Sequence, residues 1–342
     1  MNVLFVELEM DRDWSVASIG PAFLASYVRP MGHTVDIIHL KVDVSTEQGI
    51  AEIVQRAPEV LALSLTSRQW LRAKDLLNRL RQQMHITTIV GGLHPTFSSE
   101  SVLEEPGVDF VCLGEGELVF ADFLNALQTG NTPKGIKNIR GKNEARPPMY
   151  APFSPIDSLP FMARDLLNEN NGVYHMTTQR GCPFPCSYCA ARMYNEMYGT
   201  KEYGRRRSIE NVMAEIRLLK ETAEPSYIIF LDDTFTLNHP WVNKFCEIYG
   251  AEFGIPFSLH ARVETINEAM LHRLAKAGCK HITFGVESGS ERLRREIMKR
   301  RVSNQKLIDA FRWSQDAGIL TTANYIIGTP TETREDIEAT IA

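Results

Sequence analysis

The chain reads as an α/β protein built from two parts: an N-terminal doubly wound, parallel, five-stranded Rossmann-like sheet and a C-terminal partial (β/α) barrel of the TIM type. Three observations predict this. Short apolar runs alternate with amphipathic stretches along both halves. Between residues 131 and 160 the periodicity fails and prolines collect, at 133, 147, 148, 152, 155 and 160. Small or polar residues stand at the carboxyl end of strand after strand, where such sheets and barrels bind ligands. The expected divisions are 1–132, a connection over 133–168, and 169–342.

In the first part, Val3 to Val6 is a buried strand, and Ile19, Phe23 and Tyr27 follow at helical spacing before a stop at Gly32. Strands are expected over 34–40, 60–65, 87–90 and 109–113, with helices over 47–55, 68–83 and 117–128. The third strand runs into Ser64-Leu65-Thr66-Ser67, the fourth into Gly91-Gly92-Leu93-His94-Pro95-Thr96, and the fifth into Gly114-Glu115-Gly116-Glu117. Paired glycines let a flat ligand approach the backbone, although they also serve plain tight βα turns. No G-x-G-x-x-G follows the first strand and no Walker lysine is present, which disfavours a dinucleotide or ATP.

In the second part, strands are expected over 173–179, 227–231, 257–261, 281–286 and 322–327. Between them lie helices over 209–220, 241–253, 268–277 and 290–317, the last broken near 301–303. Asp232 and Asp233, Arg262, Glu287 and Ser288, and Gly328-Thr329-Pro330 fall at successive strand ends. Taken singly, such carboxylates are often helix caps or ion-pair partners.

The most informative stretch lies between the first two barrel strands. Cys182, Cys186 and Cys189 stand at C-x3-C-x2-C spacing, with Gly181, Pro183 and Pro185 keeping the backbone out of a helix. Three thiolates in one loop can hold three corners of a cubane iron–sulfur cluster and leave its fourth iron open. Zinc and plain buried thiols are the alternatives; zinc takes four ligands, usually as two separated pairs, and no second pair follows. The remaining Cys112, Cys246 and Cys279 are isolated in apolar contexts and read as buried thiols, a usage that fits a reducing compartment.

Composition narrows the function classes. A net charge of -5 argues against a nucleic-acid surface despite the knot Arg205-Arg206-Arg207. No run approaches the roughly 18 apolar residues of a membrane span, and the N-terminus opens as a strand without a secretory leader. A cytoplasmic location is expected, with no nucleic-acid or membrane partner.

The cysteine loop closely resembles that of the radical S-adenosylmethionine (SAM) superfamily, with Tyr188 in the place of its usual aromatic residue. The first part resembles the cobalamin-binding domain that precedes many such enzymes, through Ser64, Gly91-Gly92, His94-Pro95-Thr96 and the passage from Val108-Asp109-Phe110 to Glu117. The segment from Asp157-Ser158-Leu159-Pro160 to Leu167 resembles the entry to the radical domain of the same group. The resemblance implies a 4Fe–4S cluster on Cys182, Cys186 and Cys189. For SAM it implies contacts from Tyr188, Asp232, Asp233, Arg262, Glu287, Ser288 and Gly328; for cobalamin, from Ser64, Thr66, Gly91, Gly92, His94, Gly114 and Glu115.

Two departures accompany the resemblance. The D-x-H-x-x-G signature is absent, so the implied corrinoid has no histidine on its lower face, and His94 reads as a hydrogen-bonding strut. Five barrel strands are legible where a radical SAM core has six, so a C-terminally truncated core is expected. The implied activity is that of a methyltransferase, moving a methyl group from SAM through methylcobalamin to an unactivated carbon or phosphorus centre by way of a 5′-deoxyadenosyl radical. Its implied partners are a small-molecule substrate and an electron donor such as flavodoxin or ferredoxin. The rivals are an oxidative cyclase like that of magnesium-protoporphyrin monomethyl ester and a non-catalytic corrinoid-binding module. A tRNA methylthiotransferase would carry a second cluster in the first domain, which has Cys112 alone.

Overall fold

The computed structural model describes residues 1–11, 19–169, 171–199 and 204–341. The chain divides into two compact units, Met1–Ser154 with Ser158–Asn168, and Pro155–Asp157 with Glu169–Ala342.

The first unit runs β1 (Asn2–Leu8), α1 (Ile19–Val28), β2 (Thr34–Leu40), α2 (Thr46–Arg56), β3 (Val60–Ser64), α3 (Trp70–Arg81), β4 (Thr87–Gly91), the short α4 (Leu93–Phe97) and α5 (Ser99–Leu103), β5 (Phe110–Cys112), α6 (Glu117–Gln128) and β6 (Ile139–Gly141). The sheet order is β2-β1-β3-β4-β5-β6. Along β1, Val3 and Phe5 pack into the layer of α1 and α6, while Leu4, Val6 and Leu8 pack into that of α2 and α3. A strand buried on both faces has no polar side to show, which is why it reads as a continuous apolar run. Ser45 and Gln48 form a reciprocal capping box that starts α2.

The expected five-stranded sheet therefore has a sixth member, and it comes from the stretch read as a connection. β6 pairs antiparallel with β5, Phe110 opposite Gly141 and Cys112 opposite Ile139. The buried Asn138 locks it in place: its Nδ2 donates to the Leu113 carbonyl at 2.7 Å, and its Oδ1 accepts from the Tyr150 amide at 2.6 Å. Further along, Arg29 forks onto Asp165 through two bonds of 2.8 Å. Most of 133–168 thus packs as part of the first unit. Three paired residues among prolines carry no readable period.

The second unit runs β7 (Val173–Met176), β8 (Gln179–Arg180), α7 (Ala190–Tyr198), β9 (Arg205–Arg206), α8 (Ile209–Thr222), β10 (Tyr227–Phe230), α9 (His239–Glu252), β11 (Phe257–Arg262), α10 (Glu268–Ala277), β12 (Cys279–Glu287), α11 (Asn304–Asp316), β13 (Leu320–Tyr325) and α12 (Arg334–Ile341). Its five-stranded sheet follows chain order, β7-β10-β11-β12-β13, and every pairing is parallel. Ile216, Phe230, Phe245, Leu274 and Phe284 belong to one core beneath it. The first strand ends earlier than expected: β7 stops at Met176, and Gln179-Arg180 turns away to pair with β9. The expected break near 301–303 is present as a non-helical stretch before α11, and a π-helical stretch, Leu293–Ile297, precedes it. Among the described residues, no helix is long and apolar enough to cross a membrane.

Candidate active site

The cysteine loop leaves the sheet from an anchored point. Asp232, just beyond β10 and 1% exposed, accepts from the Thr178 amide (2.7 Å), the Thr178 hydroxyl (2.5 Å) and the Gln179 amide (3.0 Å). Arg206 supplies the opposing charge and lies over the Trp241 ring at 4.5 Å. Gly181 then turns the chain at φ 77°, and the loop closes with Cys189 N bonded to Cys186 O at 3.2 Å, ahead of α7.

Neighbouring elements hold the loop in several places. Asn195 Nδ2 donates to the Cys182 carbonyl at 3.0 Å. Ser187 donates its hydroxyl to Ile297 O at 2.6 Å and its amide to Met298 O at 3.2 Å. Arg262 Nη1 donates to Cys186 Sγ at 2.9 Å. Burial pushes the Cys182 and Cys189 thiols up, and the Arg262 charge pulls both back. Among the described residues, no three His, Cys, Asp or Glu side chains converge on a single ion position. A cubane does not ask for that, because each thiolate ligates its own iron.

Around the loop the strand ends bring charged groups together. Arg262 Nη2 bonds Glu264 Oε1 at 2.6 Å. Arg300, only 1% exposed, forks onto Glu264 at 3.1 and 2.7 Å and reaches Glu287 Oε1 at 3.2 Å. Glu287 holds φ 73° without being glycine, a strain kept where surrounding structure over-determines it. Gly285 allows this geometry, since a Cβ there would meet Glu287 Oε1 at 2.4 Å. Burial pushes the Tyr188 hydroxyl up, with the adjacent Glu287 charge adding to it.

The remaining expected SAM contacts divide. Asp233 is exposed; its carbonyl accepts from the Thr234 hydroxyl at 2.7 Å, its carboxylate has no hydrogen-bond partner among the described residues, and desolvation by surrounding protein raises its carboxyl pKa. Gly328 turns at φ 86° with its amide on Glu332. Ser288 is wholly buried, its hydroxyl 3.1 Å from the Ser290 amide, and Asp232 is occupied by the anchor described above. Gln179 Nε2, Asn195 Oδ1, Arg262 Nε and Thr329 Oγ1 are buried and have no partner among the described residues. Buried polar atoms are satisfied in folded proteins, so unpartnered atoms on the cysteine loop, its approaches and the strand ends fit a polar ligand with amino, carboxylate and hydroxyl groups. Gln179, Asn195, Glu264 and Arg300 are members of this constellation that sequence reasoning missed; only the position of Gln179, two residues before Gly181, hinted at one.

In the first unit the carboxyl ends of β3, β4 and β5 form their own surface. Leu65 N bonds Gly91 O at 2.8 Å and His94 N bonds Leu65 O at 3.0 Å, so the exits of β3 and β4 lie against each other. Gly92, at φ 93°, makes this possible, because a Cβ would meet Leu65 N at 2.6 Å. Thr96 Oγ1 ties Gly92 O at 2.7 Å to the Gly114 amide at 3.0 Å. Thr66 is spent on Gln69 Oε1 at 3.0 Å and Glu115 on the Phe153 amide at 2.7 Å. Ser64 is partly exposed, and its hydroxyl has no partner among the described residues. His94 faces the Trp70 ring at 5.1 Å and Ser67 Oγ at 3.1 Å, while its Nε2 is buried and unpartnered among the described residues; burial lowers its pKa and keeps it neutral. Small residues, a free hydroxyl and a neutral imidazole fit a corrinoid with amide side chains.

Comparison with known proteins finds a family match within each unit. The chain matches the Radical SAM superfamily over residues 176–342 and the B12 binding domain over residues 15–124. It is 32% identical, over 94% of its length and 72% of the relative's, to a protein of Pyrococcus horikoshii named as an uncharacterized methyltransferase. It is 26% identical, over 99% of its length and 65% of the relative's, to the anaerobic magnesium-protoporphyrin IX monomethyl ester cyclase of Rubrivivax gelatinosus. The cobalamin-dependent SAM radical enzyme OxsB, solved with aqua-cobalamin and SAM bound, superposes with a TM-score of 0.80 at 20% identity, over 99% of this chain and 51% of that one. With the two domains matched in this order, and with the identity to the archaeal protein extending over nearly the whole chain, the protein belongs to the cobalamin-dependent radical SAM enzymes.

Proposed function

We propose that the chain is a methyltransferase of this family, acting on a small molecule and drawing electrons from a reduced protein donor. The observation that carries the proposal is the cysteine loop, with three thiols from one turn, an arginine on one of them, and free polar atoms around it. Methyl transfer is preferred over cyclisation because the 32%-identical relative is named a methyltransferase, whereas the cyclase shares 26%.

When bound, the cluster, SAM and cobalamin supply one-electron cleavage of SAM and a transferable methyl group. The chain positions them. Cys182, Cys186 and Cys189 would hold the cluster. Asp233 is the free carboxylate suited to the SAM ammonium, while Arg262 Nε and Gln179 Nε2 are donors suited to its carboxylate. Thr329, beside Gly328, offers a hydroxyl to a nucleoside. Ser64, Gly92, His94 and Gly114 would line the corrinoid.

The test is anaerobic reconstitution with iron, sulfide and hydroxocobalamin, followed by an assay for 5′-deoxyadenosine under strong reductant. Bound corrinoid, deoxyadenosine formation and its loss in Cys186→Ala are expected. A chain that takes up a cluster and corrinoid yet never cleaves SAM would overturn the catalytic reading in favour of a corrinoid-binding module.

A further inference from the structure

Arg262 occupies an unusual place. It ends β11, and its guanidinium is turned onto one of the three loop cysteines. Nη1 lies 2.9 Å from Cys186 Sγ, and the guanidinium carbon sits 4.0 Å from the centre of the Phe184 ring, so the same group caps the sulfur and stacks on the loop that carries it. The contact is held from behind. Glu264 fixes Nη2 at 2.6 Å and is itself forked by the buried Arg300, which also bonds Gly285 O at 2.8 Å. The line from Cys186 through Arg262, Glu264 and Arg300 to Glu287 ends beside Tyr188, two residues along the same loop. A long, flexible cation has thus been given one orientation by a chain of ion pairs that begins and ends at the cysteine loop.

Reduction of an iron–sulfur cluster adds one negative charge, spread over its sulfurs. An N–H donor and a positive charge next to one of those sulfurs stabilise the reduced form more than the oxidised form and raise the potential. We propose that Arg262 sets the reduction potential of the cluster through its bond to Cys186, acting as a positioning and tuning residue, with Glu264 and Arg300 fixing its geometry. Arg262 Nε, buried and unpartnered among the described residues, stays available to a ligand, so the same guanidinium links SAM occupancy to the ease of reduction.

This inference rests on the cluster assignment above, and its test separates the two. Wild type, Arg262→Gln and Arg262→Lys would be reconstituted and their iron content measured. Each would then be titrated potentiometrically, with the reduced cluster read by electron paramagnetic resonance. At a fixed poise, Arg262→Gln is expected to show at least a tenfold lower ratio of reduced to oxidised cluster, a shift of about 59 mV for one electron, with Arg262→Lys in between. In parallel, wild-type protein carrying 15N-labelled arginine should show a nitrogen coupling to the reduced cluster, which requires no variant to fold.

Intact iron content with an unmoved potential in either variant would overturn the role of Arg262 and leave the cluster assignment standing. Absence of the nitrogen coupling would do the same even if both variants lost iron. A wild-type chain that holds no cluster would overturn both.

Discussion

Asp232 is the residue whose role can be decided most cleanly by substitution. Its two oxygens receive two backbone amides and one hydroxyl, from Thr178 and Gln179, which are 0% and 5% exposed. Asp232→Ala strands those donors. A buried donor left unpaired costs about 1–3 kcal/mol, and the hydroxyl can rotate, so the two amides dominate and the loss should be about 2–6 kcal/mol. Asp232→Asn keeps an acceptor for both amides and loses the charge assistance, about 1 kcal/mol per amide bond, hence about 2 kcal/mol, together with the charge that opposes Arg206. The assay is urea unfolding followed by tryptophan fluorescence, with Trp241 under the Arg206 guanidinium as the local reporter, alongside iron content per chain. Ala should lower both stability and iron content, and Asn should lower stability less. A ΔΔG below about 1 kcal/mol for Ala, combined with a raised KM for SAM in Asn, would refute the reasoning and make Asp232 a ligand-contacting carboxylate.

Two further outcomes are expected. Gly92→Ala adds a methyl group 2.6 Å from Leu65 N at a φ of 93°, so the β3 and β4 exits must part; corrinoid bound per chain, read by absorbance, should fall while iron content stays unchanged, and full corrinoid retention would contradict this. Burial raises the Glu264 carboxyl, but the Arg300 bonds and the charges of Arg300 and Arg262 outweigh it and leave the pKa below the ordinary 4.5. On acidification the unfolded chain therefore takes up this proton first. The stability from Glu264 is present above that ordinary value and is lost as pH falls through the lower folded one. Urea midpoints measured from about pH 5.5 down to about pH 3.5 should fall less steeply in Glu264→Gln, and parallel slopes would count against the ion-pair chain.

What could be seen in advance follows from which forces are local. The alternation of strands and helices was legible because burial on both faces writes apolar runs into β1 and β3 and one apolar stripe into α8. The cysteine loop was legible because its three donors lie within one turn. β6 was not, since its three residues are held by Asn138, whose partner Leu113 lies 25 positions away. Arg294 and Arg300 were hidden in a run of basic residues, which in a sequence reads as a solvated face. Both are fully buried, and only tertiary structure supplies the acceptors, Val302 O and Asn304 for one and Glu264 and Glu287 for the other. The same limit applies to Asp232. Strand-end position identifies it as a candidate contact, but whether its oxygens face a ligand or the backbone of a neighbouring strand is decided by packing.

The strand order of the second unit has a consequence for how the protein is made. Because each strand of the five-stranded sheet pairs with the next strand of that sheet to be made, the sheet can grow in the order in which it leaves the ribosome. The cysteines emerge near its beginning, whereas the groups that orient their loop emerge late: Arg262 follows Cys186 by 76 positions, and Ile297 follows Ser187 by 110. At about 5–20 residues per second, the three thiols wait roughly 5–20 s without their scaffold. The finished loop therefore requires synthesis past residue 300, and oxygen or oxidant reaching the nascent chain before then would meet the sulfurs unguarded.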